Sequence, residues 1–181
     1  MKYPVFFSCP KPFLVNQENF LSSIERKLRE NDLEPRTLGR TDYDMDAPLE
    51  GIRRLMYGCC GLITIALRRT YIEKGQDKPS PNIPDSFEIT RDGCWLTSSY
   101  CQIEPAMAFQ QGLPILLWRE KGVLADGILD RGALGISMPE FDLSQNPPNL
   151  ELDCWKQPLS EWISRVRLVY RNRGTPPRLF S

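Results

Sequence analysis

The run Gly61-Leu62-Ile63-Thr64-Ile65-Ala66-Leu67 constrains this chain most. Continuous apolar character over seven residues suits a strand covered on both faces, the situation of a central strand in a parallel sheet. Shorter signals alternate around it. Residues 5–8 read as a first strand stopped by Cys9-Pro10. Residues 17–31 place Phe20, Leu21, Ile24 and Leu28 at three- and four-residue spacings, an amphipathic helix with Asn16 as its expected N-cap. Residues 34–38 are a weaker strand, and Pro48 opens a second helical stripe of Leu49, Ile52, Leu55 and Met56. Residues 99–111 read as a helix, 113–118 as a strand, 122–129 as a short helix and 135–138 as a last short strand. A final helix presents Leu159, Trp162, Ile163, Val166 and Val169 or Tyr170 on one face.

Strands alternating with helices imply right-handed crossovers and an open parallel sheet. The expectation is an α/β fold, a flavodoxin-like doubly wound parallel sheet of four to five strands in three α/β/α layers. Its main unit spans residues 1–143, with an irregular insertion at about 68–94 that contains Lys78-Pro79-Ser80-Pro81 and Pro84. A segment of that length is usually functional or disordered. Residues 144–181 add a connector with Pro147-Pro148, a helix packed on the same domain, and a tail with Pro176-Pro177 and no regular structure.

Composition narrows the chemistry. The chain has 181 residues, 41% of them hydrophobic, which is enough for a core. Lys plus Arg and Asp plus Glu are both 23, so the basic excess of a general nucleic-acid binder is missing. No apolar run approaches the roughly 20 residues of a membrane span, and the N-terminus does not read as a signal peptide. The expectations are no nucleic acid, no membrane and a cytoplasmic location. There is no histidine, hence no Ser-His or Cys-His pair and no imidazole ligand. The six cysteines contain no C-x-x-C pair, so no metal site is expected, and most should pack as small hydrophobes. Phosphate loops of the G-x-G-x-x-G or G-x-x-x-x-G-K-[ST] type are also missing.

Doubly wound sheets bind ligands outside the carboxyl ends of their strands, at the point where strand order reverses. Of the loops that would converge there, one carries Trp95-Leu96-Thr97-Ser98-Ser99-Tyr100-Cys101-Gln102-Ile103-Glu104 and opens a helix. Ser99 and Gln102 have capping-box spacing. Glu104 falls in the first turns, followed by Pro105, which removes one helical hydrogen bond. The plainer reading is that Ser99 and Gln102 cap the helix and Glu104 complements its dipole.

Residues 98–104 resemble the S-x-W-C-x-x-E segment of TIR domains, with Tyr100 where Trp is usual. Glu104 and the residues after it also resemble nucleoside 2-deoxyribosyltransferases, in which a nucleophilic Glu opens a helix leading to a turn and the next strand. In both families a short aromatic-rich loop ends the first strand, to which Phe6-Phe7-Ser8-Cys9 is similar. The resemblance implies that Glu104 is catalytic, that NAD or a related nucleotide is substrate rather than cofactor, and that protomers assemble into a homo-oligomer. It also implies a role in microbial immune signalling. The alternatives are a deoxyribosyltransferase-like enzyme and a non-catalytic TIR-like nucleotide-sensing or interaction module.

The chemistry is consistent with a chain without histidine. Cleavage of an N-glycosidic bond passes through an oxocarbenium-like state that a carboxylate stabilises or attacks. The nicotinamide of NAD is already a pyridinium and departs neutral without a general acid. A neutral nucleoside base needs a proton, for which Asp42 and Asp44 are the candidates. The expected substrate-binding residues are Phe7 and Ser8 at the end of strand one; Asp42 and Tyr43 on the next exit loop; Arg68 (with Arg69) for a pyrophosphate; Trp95 for stacking; and Ser98, Ser99 and Tyr100 beside Glu104. Three of these groups have a plainer alternative: a solvated turn for 42–44, solvated charges for the arginines, a core plug for Trp95. Cys101 matches the family cysteine, but burial in the helix–sheet contact is the preferred reading.

Overall fold

The computed structural model describes residues 2–42, 47–144 and 148–172. Its elements in chain order are β1 (Tyr3–Ser8), α1 (Val15–Glu30), β2 (Leu33–Arg36), α2 (Pro48–Tyr57), β3 (Leu62–Ala66), the small strands β4 (Thr70–Ile72), β5 (Gln76–Asp77), β6 (Ile89–Thr90) and β7 (Cys94–Leu96), then α3 (Tyr100–Gln110), β8 (Ile115–Arg119), a 3-10 turn (Gly127–Leu129), β9 (Ile136–Ser137) and α4 (Asp153–Arg171). The main sheet runs β2-β1-β3-β8-β9 and every neighbouring pair is parallel. It is a three-layer α/β/α, flavodoxin-like sheet. Strand order reverses between β1 and β3, whose carboxyl ends pair Ser8 with Thr64.

Alternation along the strands sorts the core into two faces. Val5, Phe7, Ile63, Ile65, Leu116 and Trp118 pack against α1 and α4, with Trp162 fully buried and donating from Nε1 to the Pro114 carbonyl at 3.0 Å. Phe6, Leu62, Ile115 and Leu117 pack against α2 and α3. Every side chain of β3 is buried, as its apolar run requires. Pro48 stands at the first helical position of α2, where its missing N–H costs nothing. The edges are short: β2 carries Pro35, and β9 lasts two residues. β9 reaches β8 because Gly135 sits at φ +64°, where an added Cβ would lie 2.5 Å from the Ile115 carbonyl oxygen.

Several local expectations give way. α1 starts at Val15, so Asn16 lies inside it; its Nδ2 donates to the Leu143 carbonyl at 2.9 Å instead of capping. The Gln17 side chain reaches back to the Phe13 N–H at 3.2 Å. Leu49 points to solvent on the first turn of α2. Of residues 122–129 only Gly127–Leu129 is helical, as the 3-10 turn, while Val123 bridges to Trp95. The insertion is not irregular throughout: β4 pairs antiparallel with β7, and β5 with β6, as two nested ribbons. They run two or three residues each, too short for alternation to show in sequence. Among the described residues, no helix is long and apolar enough to cross a membrane. Residues 145–147 and 173–181, parts of the expected connector and tail, lie outside the described residues.

Candidate active site

α3 starts one residue after Ser99, and the capping box does not form. Ser99 is exposed, has helical backbone angles and makes no side-chain cap bond. Ser98 takes that part, its Oγ accepting from the Tyr100 N–H at 3.3 Å. Gln102 reaches elsewhere: Nε2 donates to the Asp126 carbonyl at 2.8 Å, and Oε1 accepts from the Ile128 N–H at 3.0 Å. This pins α3 to the 3-10 turn. With its rotation so fixed, the helix turns Cys101, Glu104, Pro105 and Ala108 inward, a three- and four-residue spacing that lays one face on the sheet.

Glu104 is only 8% exposed, yet it lines a hollow of about 400 Å³ at the carboxyl ends of the strands. That volume lies within the range of small-molecule sites. Cys9, Thr37, Arg69, Ser98 and Tyr100 share the lining. Among the described residues no cation pairs with Glu104. Burial pushes its carboxyl up to about 7, and the neighbouring Ser8 hydroxyl, which favours the charged form, opposes the rise only in part. The group is therefore poised between neutral and ionised near neutrality. Cys101 is buried beside it, accepts from Thr97 Oγ1 at 3.7 Å, and has its thiol pushed by burial up to about 12. Burial raises Cys9 as well. Both thiols stay protonated and unreactive.

Ser8 lies beside the carboxylate, and Thr64 is its neighbour across the sheet. They are 1% and 0% exposed, they pair in register on β1 and β3, and neither hydroxyl has a hydrogen-bond partner. Alternation puts both on the face of Phe6 and Leu62, the α3 side. The same alternation removes Phe7 from the site: it points through the opposite face, into the core under α1, with no exposed surface.

The remaining expected residues divide. Ser98 and Tyr100 line the hollow. Arg68 does not; its Nε donates to the Lys121 carbonyl at 2.7 Å, and its backbone N–H donates to the buried Glu120 carboxylate at 2.8 Å. Its neighbour Arg69 takes the place on the rim, with Lys11 opposite on the β1 exit. Both are exposed and neither forms an ion pair with a described residue. Trp95 packs in the ribbon against Tyr71, ring centroids 4.9 Å apart, with the Arg68 guanidinium 5.9 Å from its ring. It is half-buried in the ribbon, outside both core clusters, and does not line the hollow. Asp42 is ion-paired with Arg36 and hydrogen-bonded by Thr41 at 2.8 Å, which holds its carboxyl below the usual range. Tyr43 and Asp44 lie outside the described residues. Thr64, Lys11 and Thr37 were not anticipated; Thr64 alone had a signal, as the one hydroxyl in an otherwise apolar run. Among the described residues, no group of three or more Cys, Asp or Glu side chains could hold a metal ion.

Among the described residues, the arrangement is a buried carboxyl without a cationic partner in the wall of a hollow of about 400 Å³ that Lys11 and Arg69 also line. Such a carboxyl gains most from positive charge that develops against it, because it has no other partner to give up. No family model matches the sequence, and none of the curated proteins does. Among solved structures the chain is similar to the Clostridium botulinum CMP N-glycosidase BcmB, at 13% identity and a TM-score of 0.43, over 91% of this chain and 98% of that one. It is also similar to FerB, a flavoenzyme NAD(P)H:(acceptor) oxidoreductase from Paracoccus denitrificans, at 12% identity and a TM-score of 0.41, over 94% of this chain and 97% of that one.

Proposed function

We propose that this chain is an N-glycosidase that cleaves the nicotinamide–ribose bond of NAD or of a related nucleotide whose base leaves without a proton. The observation that carries the reading is Glu104: buried, without an ion-pair partner among the described residues, and facing a hollow large enough for a nucleoside unit. As the C1′–N bond breaks, its electron pair moves onto the pyridinium nitrogen and nicotinamide departs neutral. The sugar becomes an oxocarbenium ion, which the Glu104 carboxylate stabilises until water adds at C1′ and releases a proton.

Two features favour this substrate class over a neutral nucleoside. Asp42, one of the two candidate acids for a departing base, is held by Arg36 below the usual carboxylate range and does not line the hollow. Arg69 and Lys11 at the rim suit phosphate oxygens. The test is to incubate concentrated protein with NAD and a panel of nucleotides and deoxynucleosides, read by mass spectrometry, beside Glu104→Gln. Nicotinamide release that disappears in the variant is expected. Base exchange between deoxynucleosides with NAD untouched, or equal release by the variant, overturns the reading.

A further inference from the structure

Two buried hydroxyls near a buried carboxyl are an expensive arrangement. An unsatisfied hydroxyl loses its water without replacement, and folds rarely keep such groups. Here Ser8 Oγ and Thr64 Oγ1 are both without a partner, at the paired ends of β1 and β3. They lie on the sheet face covered by α3, whose inward residues include Cys101 and Glu104. The Ser8 hydroxyl is near enough to favour the charged form of both groups. Packing alone does not explain the pair, because Ala and Val would fill these positions without orphaned oxygens.

We infer that Ser8, backed by Thr64, is a positioning pair for Glu104: when the carboxyl ionises, Ser8 turns its O–H onto the carboxylate and Thr64 turns its own O–H onto Ser8 Oγ. The inference rests on the reading of Glu104 as the charge-stabilising group. A hydroxyl both donates and accepts, so the two can switch between an unbonded state beside the neutral acid and a bonded chain to the anion. The pair would supply the hydrogen bond that the anion needs without a cation that would cancel its charge. Neither hydroxyl lines the hollow, so neither competes with substrate for the carboxylate. The other groups facing Glu104 do not substitute for them. Cys101 on α3 and Cys9 on the β1 exit remain protonated thiols, weak donors at best, while Tyr100, Arg69 and Lys11 belong to the lining and the rim.

The test is titration of Glu104 by NMR in protein with ¹³C-labelled Glu carboxyls, the signal identified by its loss in Glu104→Gln. Ser8→Ala is expected to move the midpoint upward, and Thr64→Val to move it in the same direction by less. Thr64→Ser, which keeps the hydroxyl, is expected to leave it in place. Thermal melts verify that each variant is folded, and at pH 5, where Glu104 is neutral, both hydroxyl deletions should melt no lower than the parent, since each removes an orphaned oxygen. In N-glycosidase assays the acid limb of kcat should move with the midpoint while KM changes little. An unmoved midpoint in Ser8→Ala overturns the inference even if cleavage is found. A moved midpoint supports it even where NAD proves not to be the substrate.

Discussion

At the residue scale, Glu104 ties stability to chemistry through one proton. Its carboxyl is raised from 4.5 to about 7, so the fold binds that proton more tightly than the unfolded chain does. The advantage is complete below about 4.5 and is lost as pH rises through about 7. At about 1.4 kcal/mol for each tenfold change in proton affinity, holding the anion costs the fold on the order of 3 kcal/mol above neutrality. Glu104→Gln carries no such charge. We predict that its melting temperature exceeds that of the parent at pH 8 and that the gap narrows toward pH 5, measured by thermal melts across that range. A carboxyl kept for stability would show the reverse. Arg69 makes a separable contribution at the rim. Arg69→Ala is expected to raise KM for phosphorylated substrates by about two- to fivefold with kcat little changed, the effect of one exposed ionic hydrogen bond. Steady-state kinetics on a nucleotide and its dephosphorylated counterpart would check it.

At the element scale, how much could be read from the residues depended on period and length. α1 and α2 announce themselves because Phe20, Leu21, Ile24 and Leu28, and then Ile52, Leu55 and Met56, repeat over several turns. β3 is legible because burial on both faces leaves no alternation to misread. The resemblance at residues 98–104 directs attention to Glu104, but which of two adjacent serines caps α3 depends on where the chain arrives, and Ser98 arrives first. Phe7 and Ser8 were equally plausible at the end of β1; only the sheet decides which faces α3. Arg68 and Arg69 are the same case, resolved by the Glu120 carboxylate holding the first. The β8–β9 junction yields its own test. Gly135→Ala would force a Cβ against the Ile115 carbonyl in the left-handed region, and a loss of about 1–3 kcal/mol is expected in denaturant unfolding.

At the scale of the whole molecule, the doubly wound sheet brings the β1, β3 and α3 termini together, while the ribbons of β4–β7 stand apart from its core. Their tip exposes Ile83 and Phe87 and holds Lys78, Ser80 and Asp85 at positive φ. Replacing residues 78–88 by a two-residue Asn-Gly turn removes these strained positions without touching the main sheet. The melting temperature is expected to change by no more than about 4 °C, since the ledger of the main core is unaltered. A larger fall would show that the ribbons brace the domain. The brevity of β9 and the proline in β2 have a different consequence. Backbone groups at either margin offer an incoming chain almost nothing to zip onto, so templated fibre growth has no foothold there. Protein concentrated for turnover assays should therefore stay clear of amyloid-type aggregation.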